Sequence, residues 1–145
     1  MKWVTRKRIQ VNRAATAWLI RRFIDPQAEF IFVDPDQVAD IQATTGAIGF
    51  DAPDATYSHQ DARGRCSFEA LVEEHCADDP ALEELARIIH GADLKDLGAA
   101  PECPGHLTIS RGFPLVAGDD HETMEKTRFL YDALYASLKQ RRASA

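Results

Sequence analysis

The sequence predicts an α+β fold in which a small N-terminal layer of strands and helices is followed by a mainly helical half. Runs of β-branched and aromatic residues, typical of strands, fall within the first sixty residues. From residue 67 onward, apolar residues recur at helical spacing behind candidate helix caps. The 145 residues are 45% hydrophobic and 28% charged, which suits a single globular domain spanning residues 1–145.

The N-terminal layer begins with charged and β-branched residues interleaved over residues 2–11, which predicts a strand. Asn12 is a candidate N-cap for a helix over residues 13–24, because its side chain can accept hydrogen bonds from free backbone N–H groups. Residues 29–33 are mostly apolar and predict a buried strand. A short helix over residues 34–43 and a loop with short extended pieces complete this layer.

The helical half begins with Ser67 as the candidate N-cap of a helix that ends near residue 75. Pro80 opens a second helix, whose apolar side carries Leu82, Leu85, Ile88 and Ile89. After a loop rich in proline and glycine, a third helix is expected over residues 105–117. The last helix, over residues 120–140, has an apolar stripe formed by Met124, Phe129, Leu130, Leu134, Tyr135 and Leu138.

Positive charge is concentrated at the N-terminus. Seven of the 17 Lys and Arg residues precede the first acidic residue, Asp25, although the net charge of the chain is −6. Such a segment can bind a small oxyanion, since arginine offers two parallel N–H donors to one. We therefore single out Arg13, Arg21 and Arg22 as oxyanion-binding candidates. The sequence leaves open that Arg21 and Arg22 form a solvated helix face or pair with acidic residues.

Two of the three histidines between residues 57 and 96, His59 and His90, together with several carboxylates, indicate a metal site. His90 and Asp93 lie three positions apart and would share one helix face. With His59 and Glu69 they form a set of imidazole and carboxylate donors, which suits a divalent Fe, Mn or Zn ion. The spacing matches no regular metalloenzyme motif. His59 and His90 are predicted to share one ion.

Two further residues are candidates for a catalytic role. Glu102 could act as a fifth metal ligand or as an acid that orients a metal-bound histidine. Cys66 lies between Arg65 and a helix start, where a lowered thiol pKa is expected, although it could equally be a small half-buried residue. The three cysteines form no Cys-x-x-Cys pair and are predicted to be reduced. The other histidines, His75, His106 and His121, are expected at the surface.

No apolar run approaches the ~20 residues that a membrane-spanning helix needs. The basic N-terminal residues are followed by no apolar signal segment, so we expect a cytoplasmic protein without a membrane partner. The acidic bulk of the chain argues against DNA binding, which needs many phosphate contacts. A homo-oligomer is compatible with the sequence.

Several segments resemble the C-terminal domain family of the chromate resistance protein ChrB. They are residues 3–6, 11–25 with the run Trp-Leu-Ile-Arg-Arg-Phe-Ile-Asp, His59, 66–69, His90 with 93–96, Pro101-Glu102 with Gly105, and 132–135. The resemblance covers nearly the whole chain. It implies a role in chromate resistance or chromate sensing. Longer proteins of this kind carry an N-terminal region thought to bind DNA, and nothing here corresponds to it.

The chain departs from the family pattern at two positions. Members often have Asp where this chain has Gly91, after the histidine, and where it has Asn12, before the arginine. Two function classes remain open. In one, a bound metal with an open coordination position does redox or hydrolytic chemistry. In the other, the domain binds chromate, another oxyanion or a metal without turnover and reports it to a partner protein.

Overall fold

The computed structural model of the chain describes residues 1–144. Over those residues, three parallel strands form one sheet in the order β2–β1–β3. They are β1 (Lys2–Arg6), β2 (Glu29–Val33) and β3 (Ile48–Gly49). Trp3 lies between Phe30 and Ile48 in the sheet register. The sheet forms the N-terminal layer, and helices make up the later half, which confirms the predicted α+β class.

Six α-helices pack around and after this sheet within residues 1–144. They are α1 (Val11–Leu19), α2 (Val38–Thr45), α3 (Ser67–His75), α4 (Pro80–Asp93), α5 (Cys103–Val116) and α6 (Asp120–Ala143). A π-helical turn, Ile20–Ile24, continues α1, and a 3-10 turn, Pro35–Gln37, leads into α2. The predicted elements are therefore present, with shifted ends. The last helix, predicted to end at residue 140, continues to Ala143, and Ala145 lies outside the described residues.

The first strand is shorter than predicted because a carboxylate from α6 redirects the backbone. Asp120 accepts hydrogen bonds from the backbone N–H of Arg8 at 3.0 Å and of Ile9 at 2.8 Å. The chain therefore leaves the sheet after Arg6 and enters α1 at Val11. This contact joins the β1–α1 connection to the start of the last helix.

Two predicted caps are wrong by a few residues. Gln10 occupies the N-cap of α1, and Asn12 lies inside the helix with its side chain fully buried. Cys66, not Ser67, is the N-cap of α3; its side chain and that of Glu69 form a reciprocal capping box. In both cases the side chain that could have capped the helix makes a buried polar contact instead, as described below.

Helix α1 is the centre of the hydrophobic core. All of its residues except Arg13 are buried, and it packs against α3, α4 and α6. Trp18 stacks near Tyr131 of α6 with ring centroids 5.8 Å apart. One member of the predicted apolar stripe of α6 is wrong: Phe129 is 81% exposed, because it lies on the opposite side of that helix from Tyr131 and Tyr135.

The interior also contains a histidine that was predicted at the surface. His106 is only 6% exposed because α5 presents it to the core, where its ring meets Tyr131 edge to face. The predictions for His75 and His121 are confirmed, since both are exposed. Within residues 1–144, no helix is both long and apolar enough to cross a membrane.

Candidate functional site

The candidate site lies at the carboxyl edge of the parallel sheet. Arg6 is the last residue of β1, and Asp51 is the second residue after β3. Carboxyl ends of parallel strands meet at one edge of a sheet, which is where α/β sheets bind ligands. The connection after β1 leads directly into α1, so that the first turn of this helix also faces the site. Asp51 is 1% exposed and has a φ of +50°, a conformation uncommon for residues other than glycine.

Asp51 collects polar side chains from three segments. Arg6 Nε donates to the backbone carbonyl of Asp51 at 2.7 Å, and Arg6 Nη2 donates to Oδ1 at 3.1 Å. Asn12 Nδ2 donates to Oδ2 at 3.0 Å, and His59 Nδ1 lies 2.7 Å from Oδ1. Arg13 Nη1 is 3.9 Å from Oδ2. One buried carboxylate thus fixes the positions of two guanidinium groups and an imidazole.

These contacts determine the charge of Asp51 and His59. Burial alone would raise the pKa of Asp51, but hydrogen bonds from His59 and Asn12 and the charges of Arg13 and Arg6 outweigh burial and hold the pKa below its usual range. The hydrogen bond with Asp51 raises the pKa of His59 against the opposing effect of burial. The pair therefore favours a carboxylate facing an imidazolium.

Asp93 completes this group from the end of α4. Its Oδ2 lies 3.7 Å from His59 Nδ1 and is buried without a hydrogen-bond partner among residues 1–144. Burial, and then the negative charge of Asp51, raise the pKa of Asp93 to about 6. We call Arg6, Asn12, Arg13, Asp51, His59 and Asp93 the Asp51 cluster.

A second group, the thiol cluster, consists of Cys66, Glu69 and His90. His90 Nδ1 lies 2.5 Å from Glu69 Oε1, which also accepts from the backbone N–H of Cys66 at 3.0 Å. The thiol of Cys66 is fully buried, whereas the other two side chains are about one-quarter exposed. Burial raises the pKa of Cys66, so the expected lowering is wrong: the helix start does not compensate for the loss of water around the sulfur.

The four predicted metal ligands are divided between these two clusters. His59 and Asp93 lie with Asp51, and Glu69 and His90 lie with Cys66; within each trio the potential ligand atoms are within 4.8 Å of one another. The clusters adjoin because His90 and Asp93 are three positions apart on α4. Glu102 joins neither cluster, since its carboxylate faces Arg141 of α6 at 3.4 Å.

The predicted arginines are also separated. Only Arg13 belongs to the Asp51 cluster. Arg21 pairs with Glu125 and Arg22 with Asp132, each at 2.7 Å, and both pairs join the π-helical turn to α6. They line a different cleft of about 500 Å³, together with Trp18 and Arg128. Pairing with acidic residues, the alternative left open from the sequence, is therefore what the structure contains.

Asp51 and Arg6 were missed in the sequence. A signal for both was present, because Arg6 ends one predicted strand and Asp51 follows an extended piece, and parallel strands place such residues together. This signal did not reveal the site, because the third strand is only Ile48–Gly49 and is too short to show a periodic sequence pattern.

The two departures from the family pattern have structural counterparts. The Asn12 amide donates to Asp51 and, at 2.6 Å, to Ser67, while its carbonyl oxygen accepts from the backbone N–H of Phe68 at 3.2 Å. An aspartate here would bring a second carboxylate against Asp51. At Gly91 a Cβ atom would lie 2.5 Å from Cys103 Sγ and 2.6 Å from the Asp96 carbonyl oxygen. A side chain at residue 91 would therefore collide with α5 and the preceding loop.

Comparison with known proteins identifies the family to which this chain belongs. The family model described as "ChrB, C-terminal domain" matches residues 3–138. Protein ChrB of Cupriavidus metallidurans is 34% identical over 137 residues, which cover 92% of this chain and 40% of that protein. The chain thus spans less than half the length of this relative. No solved structure matches it significantly. The chain belongs to the ChrB C-terminal domain family, which is associated with chromate resistance.

Proposed function

We propose that this domain binds a small tetrahedral oxyanion, with chromate as the natural candidate, at the Asp51 cluster, and that it reports the bound anion to a partner without turnover. The observation that carries the proposal is the convergence of Arg6, Arg13 and His59 on one buried carboxylate. Asp51 neutralises only part of this positive charge. The remaining N–H donors are those that an oxyanion uses.

Arg13 has capacity for a further partner. Its Nη2 donates to the Arg8 carbonyl oxygen at 3.0 Å, but its Nε is buried and has no acceptor in the part of the chain that the structure describes. Burial lowers the pKa of Arg13, which means that nearby anions do not fully compensate for the water that the guanidinium has lost. An oxyanion in contact with Arg13 would supply both the missing acceptor and the missing charge.

The start of α1 adds backbone donors to the same place. Its N-cap, Gln10, makes no side-chain capping bond, and its first turn contains no acidic residue. Free N–H groups at a helix start favour anions. The exposed side of His59, whose side chain is half accessible, leaves a route from solvent. The family's association with chromate resistance makes chromate the anion to test first.

A divalent metal ion at Asp51, His59 and Asp93 is the second candidate. The unpartnered Oδ2 of Asp93 favours it, because a cation would satisfy that oxygen and relieve its repulsion with Asp51. Against it, Arg6 lies 3.1 Å and Arg13 3.9 Å from the oxygens of Asp51 that would hold the ion. A dication in this position would be repelled by both guanidinium groups, and this repulsion favours the oxyanion.

Calorimetry with chromate, sulfate and phosphate tests the proposal. Hydrogen bonds to charged groups contribute roughly 1.5–3 kcal/mol each, so Arg13→Gln should weaken chromate binding about ten- to a hundredfold. Arg21→Gln is the matched control, because it removes an arginine from the other cleft and should leave this affinity unchanged. Loss of binding in Arg21→Gln but not in Arg13→Gln would place the oxyanion in the cleft of Arg21 and Arg22 and refute the proposal.

Asp93→Asn separates the two candidates because they predict effects of opposite sign. Removing a negative charge beside the site should strengthen chromate binding. If the site instead holds a metal, the same change removes a ligand and should weaken Mn²⁺ binding, measured in parallel on the same protein. If Asp93→Asn binds Mn²⁺ more weakly than the wild type does, and the wild type does not bind chromate, the metal candidate is correct.

A further inference from the structure

We infer that the thiol cluster is a separate metal site, formed by Cys66, Glu69 and His90, for a zinc-class divalent ion. It shares no residue with the Asp51 cluster, so it goes beyond the proposed oxyanion function and stands or falls independently of it.

The ligand set is complete enough for a tetrahedral ion with one open position. The Cys66 sulfur, a Glu69 carboxylate oxygen and a His90 ring nitrogen all lie within 4.8 Å of one another. Glu69 comes from the first turn of α3 and His90 from the last turn of α4, so two packed helices hold the ligands. Zn²⁺ accepts sulfur, imidazole nitrogen and carboxylate oxygen in one site, and a water molecule commonly occupies a fourth position.

Cysteine is an unusual choice for the N-cap that Cys66 occupies. Ser, Thr, Asp and Asn cap helices best, and Ser67 is the next residue along the chain. A thiol is a weak hydrogen-bond acceptor, so capping alone does not explain it. Glu69 and His90 can satisfy each other without an ion. This pair therefore does not need a thiol as a third partner. The Cys66 sulfur nevertheless lies beside it and adds a strong zinc ligand.

Local charge favours a cation here, in contrast to the Asp51 cluster. Within residues 1–144, the carboxylate of Glu69 forms an ion pair only with His90. The neighbouring Arg65 is directed away, because its guanidinium pairs with Asp61 and Glu73. No guanidinium therefore competes with a metal ion for Glu69. The partial exposure of Glu69 and His90 gives the ion access, while the sulfur lies on the buried side.

Titration with Co²⁺, followed by competition with Zn²⁺, tests this site specifically. A cobalt–thiolate bond gives charge-transfer absorption in the near ultraviolet, which the oxygen and nitrogen ligands of the Asp51 cluster cannot produce. We expect this band at one Co²⁺ per chain in the wild type and its loss when Zn²⁺ displaces cobalt. Cys66→Ser should abolish the band while preserving the fold, because serine is a better N-cap than cysteine.

Cys76→Ser is the matched control, since Cys76 lies at the other end of α3 outside the cluster, and it should retain the band. Glu69→Gln and His90→Ala should each weaken cobalt binding. The inference is overturned if the wild type shows no thiolate band, or if the band persists in Cys66→Ser. Arg13→Gln should leave the cobalt titration unchanged, so failure of the oxyanion proposal and failure of this one would be distinguishable.

Discussion

Two buried polar residues, Asn12 and His106, differ in how far the fold satisfies them. The side chain of Asn12 makes hydrogen bonds with Asp51, Ser67 and the backbone of Phe68. His106 has one side-chain partner, Ser110, at 3.2 Å. Because no carboxylate compensates it, burial lowers the pKa of His106 to about 4. The interior therefore holds His106 as a neutral ring.

Neutral burial of His106 should make stability depend on pH. The unfolded chain binds the proton with a pKa of 6.5 and the folded chain with a pKa of about 4, so acid favours unfolding. The contribution is fully present above pH 6.5 and is lost as the pH falls toward 4. The difference in pKa corresponds to about 3 kcal/mol. Urea unfolding of wild type and His106→Gln across this range measures it.

The His106→Gln variant is the reference for the wild type, because all other groups that titrate in this range are common to both proteins. The free energy of unfolding of the wild type should fall more steeply with acid than that of the variant. Parallel curves would show that His106 becomes protonated without cost and would contradict its burial as a neutral ring.

Helices α4 and α5 approach each other closely at Gly91, one of the two positions where the chain departs from the family pattern. Gly91 faces Cys103 of α5 and the loop carbonyl of Asp96. Gly91→Ala should destabilise the protein, because overpacking costs roughly 1–3 kcal/mol while the better helix propensity of alanine returns at most ~1 kcal/mol.

The matched control is Gly112→Ala in α5, where a Cβ atom would meet nothing within 4 Å. The same change of residue in a helix should there raise the free energy of unfolding slightly. Denaturant unfolding of both variants is the measurement. Equal effects at the two positions would mean that the α4–α5 contact can open to accept a side chain.

Helices were easier to predict than their ends. The apolar spacing of Leu82, Leu85, Ile88 and Ile89 indicated α4, and these residues are all fully buried. Propensity could not show that Asn12 would be drawn from a capping position into a contact with Asp51, 39 residues away. It also could not show that α1 would be buried on nearly all sides, because that depends on α6 covering it.

The candidate site also depends on contacts between distant segments, which the sequence pattern does not show. His59, Glu69, His90 and Asp93 were singled out by side-chain chemistry and by the family resemblance. Their division between two clusters depends on which strand end and which helix start approach α4. The long loop between β3 and α3, which carries His59, has no periodicity from which this approach could be read.

At the scale of the whole molecule, the positive N-terminal segment is largely neutralised by the fold. Five of its seven basic side chains lie within 4.0 Å of a carboxylate: Arg6 and Arg13 with Asp51, Lys7 with Asp34, Arg21 with Glu125 and Arg22 with Asp132. The net charge of the chain is −6. Outside the Asp51 cluster, few cations of this segment therefore remain to contact the phosphates of a DNA duplex.

We accordingly predict that this chain does not bind DNA specifically. Any affinity should be about 10⁻⁴ M at physiological salt, the weak end of non-specific binding. Titration of promoter-like and scrambled duplexes, followed by fluorescence anisotropy, measures it. Tight binding that prefers one sequence would contradict the prediction and would make a DNA-binding regulator the leading function.

Contacts with α6 determine when the growing chain can complete the cover of its N-terminal half. Trp18 donates to Asp132, 114 positions later, and Ile9 donates to Asp120, 111 positions later. A ribosome must synthesise most of α6 before the apolar surface of α1 acquires its cover. Until then the newly made N-terminal half exposes aromatic and aliphatic side chains, which favours chaperone binding and aggregation. Slow translation upstream of residue 120 would therefore lengthen the time for which the nascent chain is vulnerable.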